Sequence, residues 1–251
     1  MQEGTGPMDR PERTVLLVDK STTLRYYHGM LLTRLDYAVL TAASPEEAMM
    51  IMERTVPSCV LTGFRFPMMS GLDLMKKLKG QERTRRIPVI VMTGEKDAAV
   101  RKACIEHGCS GYLVKPVEPA SLYRAVQAAT ETTPRSNIRL GTSLKAVVGD
   151  ADRSAQATMI SEGGLYVRTP VLTPKDAITP VRIFIKDREI KATVVVLYIY
   201  NHAPEGGASR GPGMGLKFIE ITDEDRMFLR SFIKEQLTSD ITPGEPGDRD
   251  P

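Results

Sequence analysis

The chain has 251 residues, a net charge of +3, 41% hydrophobic residues and 26% charged ones. That is the composition of a soluble globular protein long enough for two separate cores. It excludes a helical membrane protein, because no apolar run approaches the ~18 residues that span a bilayer. Cys59, Cys104 and Cys109 are an odd set without metal-ligand spacing, so free thiols in a reducing cytoplasm are expected. Met1 to Arg13 is polar and carries Gly4, Gly6, Pro7 and Pro11. It lacks the apolar core of a signal peptide and reads as a disordered lead-in, residues 1–12. The basic cluster of Arg83, Arg85 and Arg86 reads as a solvated loop rather than a nucleic-acid site.

Thr14 to Val18 is an apolar run of strand length that ends at Asp19. Ser21 is placed to cap a helix through about Arg34, with Leu24, Tyr27, Leu31 and Leu35 on one face. Tyr37 to Thr41 predicts a second strand. Ser44-Pro45-Glu46-Glu47 predicts a helix start, with a cap, a proline in the first turn and acids beside it. Ser58 to Thr62 predicts the third strand, running into the proline-closed loop Gly63-Phe64-Arg65-Phe66-Pro67. A helix from about Leu72 to Lys79 follows. Then come a strand from Ile87 to Met92, a helix from Lys96 to His107, a strand from Gly111 to Val114 and a helix from Pro119 to about Thr130. Strands alternating with helices imply a parallel sheet covered on both faces, in the order 2-1-3-4-5, with a site at the carboxyl ends of the strands.

Those strand ends carry Asp19, Lys20, Gly63, Thr93 and Lys115-Pro116. With this spacing, residues 13–131 resemble the receiver domain of two-component systems, whose third strand ends in D-x-x-M-P. The resemblance implies the flavodoxin-like (βα)5 fold. In the family, two acids after the first strand and the acceptor Asp hold Mg²⁺, while a Thr or Ser and a Lys hold phosphoryl oxygens. Aligned on Pro67, the acceptor position is Gly63, which has no side chain to act as nucleophile. Lys20 stands in place of the second acid. One carboxylate is too few to dehydrate Mg²⁺, and ammonium groups beside it oppose the ion. The expectation is therefore a degenerate pocket of Asp19, Lys20, Gly63, Thr93, Tyr112 and Lys115, with no phosphorylation and no metal. Asp19 is expected as the ion-pair partner of Lys115 or Lys20. If Lys20 faces inward, the pocket is positive and suits a small anion. Tyr112, three residues before Lys115, matches the family's aromatic switch position and is expected as a locked core ring.

Residues 132–142 read as a linker holding Arg135 and Arg139, a spacing that can close on an anion. Beyond it the pattern turns to strands: Ser143 to Val148, Ala155 to Ser161, Leu165 to Arg168, Thr179 to Lys186, Glu189 to Tyr200 and Met214 to Ile219. Glu162-Gly163-Gly164 predicts a tight turn, and Asp187-Arg188 a hairpin. His202 to Gly213 predicts a mobile loop. A helix begins at Asp223 with Met227, Phe228, Phe232, Ile233 and Leu237 on its apolar side. Six strands and one helix suggest a small closed barrel capped by that helix. Ser239 to Pro251 reads as a disordered tail.

Arg135-x-x-x-Arg139, then Met159-Ile160-Ser161-Glu162-Gly163-Gly164 against D/N-x-S-x-x-G, then Gly213 to Phe218, resemble PilZ domains. The resemblance covers about Arg135 to Leu237, with the PilZ-like domain itself placed at residues 143–238 after the linker. PilZ domains are bacterial receptors for cyclic di-GMP. It implies ligand contacts from Arg135, Arg139, Ser161 and Gly164. Met159 departs from the pattern, since a thioether cannot accept guanine N–H donors as a carboxylate does; it could instead belong to the barrel core. The expected protein is thus a cytoplasmic, non-enzymatic regulator that requires no cofactor. Its partners would be proteins of a signalling or motility pathway, with cyclic di-GMP as a candidate ligand and no nucleic acid or membrane insertion. The alternative is a pure interaction adaptor in which neither ancestral site works. No nucleophile–base or paired-acid constellation suggests an enzyme, and His28, His107 and His202 are scattered.

Overall fold

The computed structural model describes residues 13–94, 98–132, 134–135, 137–149, 154–200 and 212–239. The expected lead-in, most of the expected mobile loop and nearly all of the expected tail lie outside the described residues. The chain divides into two compact units, with the boundary after Ser136; Thr238 and Ser239, past the barrel unit, fall with the first.

In the first unit, β1 (Thr14–Val18), β2 (Ala38–Ala42), β3 (Cys59–Gly63), β4 (Val89–Thr93) and β5 (Gly111–Val114) form one parallel sheet in the order β2-β1-β3-β4-β5. The helices between and after them are α1 (Thr22–Arg34), α2 (Pro45–Arg54), α3 (Gly71–Gly80), α4 (Ala98–Glu106) and α5 (Pro119–Thr130). Starts are fixed locally. Ser21, Ser44 and Ser70 each accept a hydrogen bond from a first-turn backbone N–H, and Ser70 with Asp73 forms a reciprocal capping box. β1, β3 and β4 are central strands, so Val15 to Val18, Cys59 to Gly63 and Val89 to Thr93 are enclosed throughout, as unbroken apolar runs require. The ends of the unit are joined by polar contacts. Arg13 pairs with Glu131 at 3.1 Å, and buried Gln127 donates to the Tyr37 hydroxyl at 2.7 Å.

The second unit opens with β6 (Leu140–Val148), which begins three residues inside the stretch expected as linker. It continues with β7 (Ser154–Ser161), β8 (Gly164–Arg168), β9 (Ile178–Ile185), β10 (Arg188–Tyr200) and β11 (Gly213–Glu220). These close an antiparallel barrel in the order β10-β11-β8-β7-β6-β9. The β9–β10 turn is Lys186-Asp187, one residue earlier than the spacing suggests, and Lys186 takes a left-handed φ of 54°. The interior holds Ala146, Ala157, Ile160, Val167, Val181, Ile183, Ile185, Ile190, Val194, Val196 and Met214. α6 (Asp223–Thr238) buries Leu229, Phe232, Ile233 and Leu237, each side chain contributing about 1.5–3 kcal/mol. Met227, expected on that apolar side, is 61% exposed, and Phe228 is half-buried with the Arg188 guanidinium 4.9 Å over its ring. Ion pairs tie α6 to the barrel: Arg188 to Asp225 at 2.7 Å and to Glu224 at 2.9 Å, Arg230 to Glu162 at 2.8 Å and Lys186 to Glu235 at 2.8 Å.

Candidate functional site

The carboxyl ends of β1, β3, β4 and β5 bring Asp19, Gly63, Thr93 and Lys115 to one edge of the sheet. Asp19 is 2% exposed, and each of its oxygens is engaged. Oδ1 accepts from the Ser21 backbone N–H at 3.0 Å, and Oδ2 accepts from the Lys115 ammonium. Its backbone carbonyl accepts from Arg25 at 2.6 Å. Lys115 is placed by its own N–H, which donates to the Thr93 carbonyl at 2.7 Å; the Lys115–Pro116 peptide is cis. The ion pair is buried on the Asp19 side and mostly covered on the Lys115 side, so it neutralises the carboxylate where water cannot. Lys20, by contrast, is exposed. The pocket therefore gains no inward charge from Lys20, and the condition for a positive, anion-binding pocket is not met.

Gly63 ends β3 and is enclosed. A Cβ at this position would lie 3.3 Å and 3.5 Å from two ring carbons of Phe66 and 3.7 Å from Asp19 Oδ2. Behind it, α3 approaches so closely that a Cβ on Gly71 would stand 2.0 Å from the Gly63 carbonyl oxygen. The Gly71 N–H donates to the Phe64 carbonyl at 2.9 Å and closes the loop. Tyr112 is half-buried on β5 opposite Val91, not the enclosed core ring expected of it.

His28 also reaches this site electrostatically. It is 1% exposed on α1, and its Nδ1 has no hydrogen-bond partner among the described residues. Burial pushes its pKa down to about 4; the Lys115 ammonium pushes the same way, and Asp19 opposes it. Sequence reasoning singled out neither Phe66 nor His28 as a site residue, though each carried a signal. Phe66 occupies the methionine position of D-x-x-M-P, and His28 falls between Leu24 and Leu31 on the apolar stripe of α1.

Residues 15–127 match the family described as response regulator receiver domain. The two-component response regulator ORR3 of Oryza sativa is 33% identical over 122 residues, which cover 48% of this chain and 92% of that protein. The chain belongs to the response regulator receiver family. The chemotaxis protein CheY1 of Helicobacter pylori is 34% identical over 120 residues, 47% of this chain and 97% of the relative. Among solved structures, the Vibrio cholerae chemotaxis protein CheY4 is 26% identical at a TM-score of 0.46, covering 47% of this chain and 99% of that one. The receiver match lies within the first unit, and its sheet is the one that carries Asp19 and Lys115.

In the barrel, the four residues expected to touch cyclic di-GMP are divided by the unit boundary. Arg135 falls before it, with its N–H donating to Gln127 Oε1 at 3.2 Å. Arg139 immediately precedes β6. The β6–β7 register begins with Leu140 opposite Ile160, so Arg139 and Ser161 are each the chain neighbour of that first pair. Ser161 Oγ donates to the Gly164 carbonyl at 3.0 Å and accepts from the Gly163 N–H at 3.3 Å, so the hydroxyl builds the β7–β8 turn. Gly164 is the first residue of β8 rather than part of the turn, and a Cβ there would meet the Leu216 carbonyl oxygen at 2.1 Å. Met159 is half-buried and adjoins the fully enclosed Ile160, so it lies on the outer face and not in the core. Asn137, not singled out from sequence, packs its amide against Gly163.

Proposed function

We propose that this chain is a non-enzymatic bacterial signalling regulator of the cytoplasm that acts through protein contacts and not through phosphoryl transfer. The observation that carries the reading is Gly63, which stands where the receiver pattern has its acceptor Asp, beside an Asp19 already paired with Lys115. A glycine cannot form the acyl phosphate. The partners are proteins of a signalling pathway, with motility or cell polarity as the setting; the relative named as a chemotaxis protein supports that direction. Intact mass after incubation with acetyl phosphate and Mg²⁺ tests this reading. No adduct is expected, and a stable phosphoryl adduct on the first unit would refute it.

The closed six-stranded barrel with a terminal helix, and Arg139 and Ser161 flanking its Leu140–Ile160 pair, support a PilZ-like second unit that takes cyclic di-GMP weakly. Losing one charged acceptor at Met159 costs about 1–3 kcal/mol, roughly 10- to 100-fold in affinity. Calorimetric titration of cyclic di-GMP, with Arg139→Ala alongside, separates this from a pure adaptor. Saturable heat that disappears in the variant supports the receptor. No heat at high micromolar ligand makes the barrel a docking module alone.

A further inference from the structure

The end of β3 holds a pair of matched changes. Gly63 removes the side chain that a receiver extends into its chamber, and Phe66 puts a ring where the pattern D-x-x-M-P has a methionine. The ring carbons stand 3.3 Å and 3.5 Å from the place of the missing Cβ, at or inside ordinary carbon–carbon contact. Phe66 is half-buried and packs against the core cluster that includes Leu16, Val18, Val60, Leu74 and Met75, which holds it in place. Just beyond it, the Gly71 N–H holds the Phe64 carbonyl, and α3 rests on Gly63 without room for one more carbon.

We propose that Phe66 is the built-in occupant of the vacated acceptor chamber: its ring replaces the acceptor side chain and the metal, and fixes the β3–α3 loop in one state. The receiver unit then presents a constant surface. Its loop is set by an aromatic side chain of its own rather than by a phosphoryl group that comes and goes. This deepens the reading of the unit as one not switched by phosphorylation, and rests on it.

The carboxylates alone do not reopen the chamber if the ring fills it. The test is two full-length variants, Gly63→Asp/Lys20→Asp and the same pair with Phe66→Met, incubated with acetyl phosphate and Mg²⁺. Uptake breaks the bond from phosphorus to the acetate oxygen, forms one to the introduced carboxylate at position 63 and releases acetate. The triple variant is expected to gain a phosphoryl group at least tenfold faster than the double. Equal uptake by both shows that the ring excludes nothing; uptake by neither shows that something other than the ring closes the chamber. Either result overturns the proposal. A phosphoryl adduct on the unaltered chain would instead refute the functional reading, so the two failures are distinguishable. If the acidic variants do not fold, hydrogen exchange of Phe66→Met alone decides. Amides from Phe64 to Gly71 are expected to exchange at least tenfold faster than in the unaltered chain, and an unchanged rate rejects the plug.

Discussion

At the scale of single residues, His28 makes the sharpest statement about pH. Its ring is enclosed, its Nδ1 has no partner among the described residues, and Lys115 lies close enough to disfavour a second positive charge. The folded-state pKa of about 4 lies below the ordinary 6.5 of the unfolded chain. As pH falls, the unfolded chain therefore takes up the proton first. The contribution of His28 to stability is complete above pH 6.5, is lost between 6.5 and 4, and changes no further below that. A shift of this size corresponds to about 3 kcal/mol. Urea unfolding at pH 7 and pH 4 should show the unaltered chain losing about 3 kcal/mol more than His28→Gln. Parallel losses in the two proteins would mean that the imidazole does not titrate with folding.

At the scale of elements, most of the first unit was legible because its signals are local. Ser44-Pro45 fixes where α2 starts, and apolar runs without alternation mark β1, β3 and β4 as strands covered on both faces. What remained hidden depends on contacts between distant residues. Sequence left Asp19 with two candidate partners, and only the fold turns Lys20 outward and Lys115 inward. Likewise Met227 fits the helical period of α6 yet is 61% exposed, because period alone does not say how wide a stripe the barrel covers. The glycines at the two ends of α3 were equally silent in sequence and are opposite in structure. A Cβ on Gly71 would meet the Gly63 carbonyl oxygen at 2.0 Å, whereas one on Gly80 would meet nothing within 4 Å. Gly71→Ala must push α3 off the end of β3, an overpacking worth about 1–3 kcal/mol of destabilisation. Gly80→Ala gains helix propensity, up to about 0.5 kcal/mol at this terminal position. Denaturation midpoints of the two variants should move in opposite directions; a common direction would contradict the packing of α3 on Gly63.

At the scale of the whole molecule, the shift from alternating helices and strands to strands alone told of two units, and each builds its own core. The first encloses the parallel sheet. The second closes a barrel that leaves none of its six strands as an open sheet edge, so its backbone groups pair within the unit. Each is near the ~100-residue size at which one core suffices for independent folding. Arg13 with Glu131, and Gln127 with Tyr37 and Arg135, use residues before the boundary, whereas Arg34 of α1 donates to the Ser239 carbonyl at 2.7 Å. A fragment ending at Ser136 keeps the first three contacts and gives up the Arg34 one. It should therefore show the circular dichroism of an α/β protein and a single cooperative urea transition. A broad, non-cooperative transition would mean that the sheet depends on the barrel for its stability. The fragment also separates the two halves of the functional reading. Arg139, Ser161 and Gly164 leave with the barrel, so any cyclic di-GMP binding must leave with them, while a protein partner of the receiver surface should still bind the fragment.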